Sequence, residues 1–355
     1  MTTSVSDRSV LATYIELTKP RIIELLLVTT IPAMVVAADG WPGSWLIVVA
    51  LVGGALSAGG ANVINQVYDA DIDRLMQRTV ARPLPTDRVK SSRATTFGVL
   101  LGIAGFLVLA LGANLLAGVL SAVAFLTYVF GYTMFLKRST TQNIVIGGAA
   151  GAVPALIGWA AYADGLSMAP WVMFTIIYFW TPPHFWALSL KYEADYRAAS
   201  IPMMPAIVGE APTLANIFWY SIVASGVTVL LIPVAGFGWI YASTAVILSV
   251  LFVVLAARLR GDRSRAMKYF VYSNLFLSGV FLSMMVDRFA HTAPLGYDTV
   301  WFIAAAILVG LGMVGVLVVE TRPDMRAPRV SLLRHGIELA ITTAVAVVIV
   351  VLAWA

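Results

Sequence analysis

The chain has no cysteine among its 355 residues and only 3 histidines, and charged side chains make up just 12% of it. Without thiols there can be no disulfide, no zinc–thiolate site and no cysteine nucleophile. The scarcity of charge, beside 60% hydrophobic residues and a mean hydropathy of +0.89, excludes an ordinary soluble domain and implies a polytopic all-α membrane protein. The N-terminal residues 1–8 are polar. They lack the apolar core and small-residue cleavage site of a signal peptide, and the Arg-rich amphipathic character of a transit peptide. The net charge of +5 is no nucleic-acid signal, because the basic residues are spread over several loops as membrane orientation demands.

Counted at about 20 apolar residues each, eleven spans are predicted: 22–38, 45–67, 95–112, 114–135, 143–162, 169–190, 212–234, 238–257, 268–287, 300–319 and 336–354. Sorting the loops between them alternately places 22 of the 23 Lys and Arg residues on one side, with Arg288 alone on the other. The positive-inside rule then puts the N-terminus in the cytoplasm and the C-terminus outside, in a multi-pass protein of the cell (inner) membrane. The two long polar connections, about 69–94 and 191–210, fall on the cytoplasmic side, so chemistry is expected there.

Where charge does occur it is concentrated. Residues 69–93 hold six Lys/Arg and four Asp. On a helix Asn62, Asn65, Asp69 and Asp73 share an arc of roughly 80°. Two carboxylates four residues apart repel each other unless a cation lies between them. With amide oxygens beside them they form a hard donor set suited to Mg²⁺, which takes its other ligands from water and phosphate. Asn65, Asp69 and Asp73 are the candidate metal ligands. Arg74, Arg78 and Arg82 supply cations for the same phosphates. Lys137 and Arg138, and Lys19 with Arg21, are further phosphate anchors; each pair reads equally as topogenic charge. The bland alternative for the whole cluster is a solvated, helix-capping loop. Asp71 points about 160° away from Asp69 on a continuous helix, toward a neighbouring arginine or, if the helix has ended, into the site.

A second constellation closes the sixth span: Pro182, Pro183, His184, Phe185, Trp186, then Lys191, Asp195 and Arg197. Tandem prolines remove backbone donors and distort a helix. A histidine before the end of a span is costly and faces protein or a cavity. His184 reads either as a packed residue bonded to a neighbouring helix or as a contact to substrate or to the iron of a haem-like ring. Phe179, Trp180, Phe185 and Trp186 would suit a flat macrocycle, or form an interfacial belt. Asp195 is either half of a solvated pair with Lys191 or a partner of the first acidic cluster, holding a second metal or positioning a diphosphate.

Together these features resemble the UbiA-type intramembrane prenyltransferases, whose first motif, Asn-x₃-Asp-x₃-Asp, is matched by Asn65, Asp69 and Asp73. Within that superfamily the chain is similar to the protohaem IX farnesyltransferase (haem O synthase) branch. The features carrying this are Leu17 to Arg21, Asp69-x-Asp71-x-Asp73, Arg78 to Pro83, Tyr132-Thr133 with Leu136 to Arg138, Gln142 to Gly147, Pro183-His184-Phe185, and Asp195-Tyr196 leading to Ile201-Pro202. The resemblance covers roughly 14–288 and implies a nine-helix bundle over residues 21–290, preceded by a cytoplasmic segment, 1–20. Two extra spans follow in 291–355. They lie outside the resemblance and are assigned no catalytic role, so their removal is expected to leave catalysis intact. The second Asp-x₃-Asp of many relatives is absent, since Lys191 and Ala199 flank Asp195 at that spacing.

The resemblance further implies a mechanism. Mg²⁺ on Asp69 and Asp73, with Asn65, binds farnesyl diphosphate, and Arg78, Arg82, Lys137 and Lys19 or Arg21 neutralise the leaving group. Asp195 joins this catalytic group, and the vinyl of haem b, held by His184 and Trp186, attacks the allylic cation. Haem b is then a substrate, and Mg²⁺ the cofactor. Two other acceptors stay open, a quinone precursor and a chlorophyllide. From a different class comes a transporter of an anionic lipid or metabolite, though the ionisable residues gather at one rim rather than at mid-membrane. A last reading gives the C-terminal spans a partner such as a haem-handling or terminal oxidase assembly protein.

Overall fold

In a computed structural model, which describes residues 9–295 and 299–321, every long apolar stretch within that range is helical. The elements are α1 (Val10–Thr18), α2 (Pro20–Ala38), α3 (Ser44–Tyr68), α4 (Ala70–Asp73), α5 (Ser91–Gly112), α6 (Leu115–Leu126), α7 (Asn143–Ala163), α8 (Met168–Lys191), α9 (Glu193–Ala198), α10 (Met204–Val208), α11 (Glu210–Ala235), α12 (Trp239–Gly261), α13 (Ala266–Phe289) and α14 (Thr299–Glu320). A π-helical segment, Thr127–Leu136, continues α6 without a break. Among the described residues eight helices, counting α6 with its π segment as one, are long and apolar enough to cross a membrane. α8 is more polar but runs 24 residues, and α2 runs 19. The first ten predicted spans therefore coincide with helices, and the eleventh, 336–354, lies outside the described residues.

The long helices form a ring. α2, α3, α5, α6, α7, α8, α11, α12 and α13 each touch the next, and α13 closes on α2. α14 packs outside the ring, against α11. Without a hydrophobic force between helices in lipid, close approach depends on small side chains. A Cβ on Gly60 of α3 would stand 2.5 Å from the carbonyl oxygen of Gly98 on α5, and one on Gly105 only 2.6 Å from the Ser57 nitrogen. The opposite face of α5 carries exposed Leu100, Ile103, Leu107 and Leu111, spaced three to four residues apart for contact with acyl chains.

The tandem prolines do not break α8, which runs through Pro182 and Pro183 to Lys191. Nor do the neighbouring aromatics form a surface belt. Phe179, Trp180 and Trp186 are buried, and only Phe185 is partly exposed.

Candidate active site

The charged end of the bundle draws its groups from five places: the α1–α2 turn, the end of α3 with α4, the loop after α4, the π segment with the loop after it, and the loop around α9. α3 fixes the first of these. Asn62 Nδ2 donates to the Thr18 carbonyl at 3.2 Å and Gln66 Nε2 to the Leu17 carbonyl at 2.7 Å. The next residue, Lys19, adopts a left-handed conformation (φ 54°) ahead of Pro20, the first residue of α2. That turn sends Lys19 inward, where its Nζ donates to Asn65 Oδ1 at 2.8 Å. Asn62 thus serves the turn rather than the acids. Burial, with Arg82 and Lys137 close by, holds the Lys19 ammonium well below the ordinary lysine range; Asp69 and Asp73 pull the other way. Arg21, two residues on, is exposed.

α3 ends at Tyr68, but the chain keeps a helical turn through Asp69 and α4, because the Asp73 amide donates to the Asp69 carbonyl at 2.8 Å. Asp69 and Asp73 consequently stay on one side, and both are buried (0% and 2% exposed). Buried carboxylates need cations. Lys137 Nζ donates to Asp69 Oδ2, and Arg82 Nη1 lies 2.8 Å from Asp73 Oδ2. Asn65 turns its Nδ2 to Asp69 Oδ2 at 2.9 Å and to Thr133 Oγ1 at 3.1 Å. The π segment brings both Thr133 and Lys137 to this point, its i→i+5 pattern ending in the bond from the Lys137 amide to the Tyr132 carbonyl. Such segments recur at functional sites.

The other predicted groups have separate partners. Asp71 accepts both Nη atoms of Arg138, at 2.8 and 2.7 Å, and Arg138 also donates to the Tyr68 carbonyl. That bond keeps the Asp71 carboxyl below its usual range. Arg78 lies over the Tyr192 ring, and its backbone amide donates to Asp195 Oδ2 at 3.2 Å. Asp195 therefore ties the two long loops together. Arg74 pairs with Asp87 at 3.1 Å on the exposed side of its loop.

The donor set fits a divalent cation at one specific atom. Asp69 Oδ1 is buried without a hydrogen-bond partner, and an Arg138 nitrogen stands 3.8 Å away. Among the described residues no three His, Asp or Glu side chains converge on one point. An ion here would complete its shell from phosphate and water, as Mg²⁺ does. In this structure Asn65 stands behind the acids, its Oδ1 already held by Lys19.

His184 lies apart from this cluster, within α8. Its ring is sandwiched between Trp180 (centroids 4.2 Å) and Phe270 (4.4 Å), and its Nδ1 is 2.7 Å from Ser273 Oγ. Ser273 Oγ donates its one proton to the Phe270 carbonyl at 2.6 Å. It must then accept from His184 Nδ1–H, which leaves the lone pair on Nε2. Both ring faces are covered, so a ligand can reach this imidazole only at its edge. Trp186 is buried edge-on against Tyr220 of α11, with ring centroids 5.2 Å apart.

Thr133 lies in the Tyr132-Thr133 pair that carries the resemblance, whereas Ser273 and the turn-holding Gln66 had no signal in the sequence. Each is a small or amide side chain within an apolar run, indistinguishable there from a packing residue.

The UbiA prenyltransferase family matches residues 26–280. The chain belongs to that family. The UbiA-family chain is 49% identical to protoheme IX farnesyltransferase 1 of Saccharopolyspora erythraea over 285 residues, covering 79% of this chain and 91% of that protein. It is 46% identical to the protoheme IX farnesyltransferase of Synechococcus sp. (strain JA-2-3B'a(2-13)), covering 85% and 91%. Among solved structures it resembles a digeranylgeranylglyceryl phosphate synthase (TM-score 0.66, 20% identity, covering 79% of this chain and 99% of that one). It also resembles a UbiA homolog from Archaeoglobus fulgidus bound to DMAPP and Mg²⁺ (TM-score 0.55, 14% identity, covering 77% and 99%). The ring of nine helices is thus the family fold, and this UbiA member is a multi-pass membrane prenyltransferase.

Proposed function

We propose that the chain transfers the farnesyl group of farnesyl diphosphate to a vinyl group of protohaem IX, giving haem O and diphosphate. The choice of acceptor is carried by the 49% identity to the S. erythraea enzyme of that name. The chemistry is supported by the paired buried acids ringed by Lys19, Arg82 and Lys137. Asp69 and Asp73 would hold Mg²⁺, which supplies charge neutralisation for the leaving diphosphate. Lys137 and Arg82, each now on a carboxylate, are placed to turn their charge to the phosphates, with Lys19 and Arg78 beside them. The C1–O bond of the farnesyl group breaks and its electron pair leaves with the diphosphate. The vinyl π pair forms the new C–C bond. Water adds to the carbon left electron-deficient and loses a proton, which completes the hydroxyethylfarnesyl group. The apolar ring around this end excludes other water from the allylic cation.

His184, through Nε2, is the haem contact in this reading, with Trp186 as a wall behind it. The catalytic bundle spans residues 21–290. The charged end faces the cytoplasm, because 22 of the 23 basic residues fall on that side. The test is an assay of purified protein in detergent with ferrous haem b, farnesyl diphosphate and Mg²⁺, read by mass spectrometry. A hydroxyethylfarnesyl haem, absent with Asp69→Asn, is expected. A folded protein that makes none would redirect the reading to a quinone precursor or a chlorophyllide.

A further inference from the structure

We infer that α14, through Glu320, is a positioning element for the diphosphate end of the site, so that the chain beyond the nine-helix bundle takes part in catalysis. This rests on the reading of Lys137 as a diphosphate contact. It reverses the expectation that 291–355 can be removed without effect. Glu320 lies beyond residues 26–280, where the family match ends.

Three observations carry it. First, α14 is seated closely. A Cβ on Gly312 would stand 2.5 Å from a Val223 methyl, one on Gly226 2.9 Å from the Val309 nitrogen, and one on Gly315 would run into the Trp219 ring. Small residues at the crossing let the two backbones approach and fix the register of α14 along α11.

Second, that register places a carboxyl group, Glu320, 1% exposed, at the charged end of the bundle. Its Oε1 accepts from Gln142 Nε2 at 2.9 Å. A buried carboxyl is costly to keep unless it is hydrogen-bonded, so this bond holds both ends in place.

Third, Gln142 is the far anchor of the loop that delivers Lys137 and Arg138. It is the residue before α7, and between it and Lys137 the loop is held by several hydrogen bonds. The Thr140 amide donates to the Leu136 carbonyl at 3.2 Å. The Gln142 amide donates to Thr140 Oγ1 at 3.1 Å. Asn143 Nδ2 donates to the Thr140 carbonyl at 2.6 Å and to the Pro202 carbonyl at 3.2 Å. A loop this short and this bonded moves as a unit. Freeing Gln142 therefore loosens the placement of Lys137 on Asp69 and of Arg138 on Asp71, while His184 and its aromatic partners, on α8 and α13, are untouched.

The experiment uses the full chain in detergent. Binding of Mg²⁺ with farnesyl thiodiphosphate, a non-ionising analogue, is measured by calorimetry, and haem binding by absorbance, for wild type, Glu320→Ala, Glu320→Gln, Gln142→Ala and the double alanine variant. Loss of one buried hydrogen bond should weaken analogue binding about fivefold in Glu320→Ala. Haem affinity should hold. Glu320→Gln keeps the acceptor oxygen and should recover most of the loss. The double variant should be no worse than Glu320→Ala, because both variants remove the same bond. If Glu320→Ala does not fold, Glu320→Asp, which withdraws the carboxyl by one methylene, is compared in its place. Unchanged analogue binding in the folded variant would overturn the inference alone, as would equal weakening of haem and analogue. Failure of the wild-type chain to bind the analogue would overturn the functional reading and this inference with it.

Discussion

The acidic cluster and the His184 box are both polar islands in an apolar chain, yet they are built in opposite ways. At Asp69 and Asp73 every charge is met by a partner on another element: Lys137 from the loop after the π segment, Arg82 from the loop after α4, Lys19 from the α1–α2 turn through Asn65. One carboxylate oxygen has no hydrogen bond at all. His184, by contrast, is enclosed on both faces and bonded through Nδ1, on two helices that stack aromatic rings around it. The first arrangement can exchange its cations for a ligand. The second holds one tautomer and one orientation. Charge recruited from loops marks where a ligand is neutralised; polarity locked between helices marks where one is oriented.

The largest effect that tests this contrast is at the acids. Asp69→Asn or Asp73→Asn should lower turnover about a thousandfold, with the protein still folded. Steady-state rates beside a melting curve decide it, and near-normal turnover would remove these residues from the reaction. Lys137→Met should come next, and should reveal the exchange directly. It leaves Asp69 buried without its main cation, at a stability cost of about 3 kcal/mol. Added Mg²⁺ should then raise the melting temperature of the variant more than that of wild type. An equal rise in both would mean that the cation and Lys137 do not share the carboxylate.

The other side of the contrast is tested through Ser273. Ser273→Ala removes the acceptor that sets the His184 tautomer while leaving the ring in place. Haem affinity should fall about tenfold, with the KM for farnesyl diphosphate unchanged. If haem affinity stays at the wild-type level, His184 only packs.

How much of this could be read beforehand depended on the kind of signal. The spans were legible because lipid demands long apolar runs, and the Asp69–Asp73 pair because two acids at helical spacing are conspicuous among so few charges. Asp71 toward an arginine followed from the 100° step alone. What could not be read was which partner each charge would take. Lys19 points inward because of a left-handed turn held by Asn62 and Gln66, and no local pattern announces that. Lys137 and Arg138 are adjacent in sequence yet give their hydrogen bonds to different carboxylates. The double proline suggested a broken helix, but α8 stays continuous because it is packed on α7, α11 and α13. The aromatics near His184 fitted a surface belt by composition, and tertiary packing drew three of them inside.

The smallest expected effect belongs to a cation of the cluster that the fold turns outward. Arg74 was grouped with Arg78 and Arg82 by spacing, but its partner is Asp87, and both side chains of that pair are largely exposed (54% and 84%). An exposed pair of this kind contributes under about 1 kcal/mol and is screened by salt. Arg74→Ala should therefore leave kcat and the KM for farnesyl diphosphate within about twofold of wild type, whereas Arg82→Ala, which strips the cation from buried Asp73, should not. Measured side by side, the two arginines separate position in the sequence from position in the fold. A loss at Arg74 matching that at Arg82 would mean that the loop swings inward when the diphosphate binds, and that the cation ring is completed by ligand rather than built in advance.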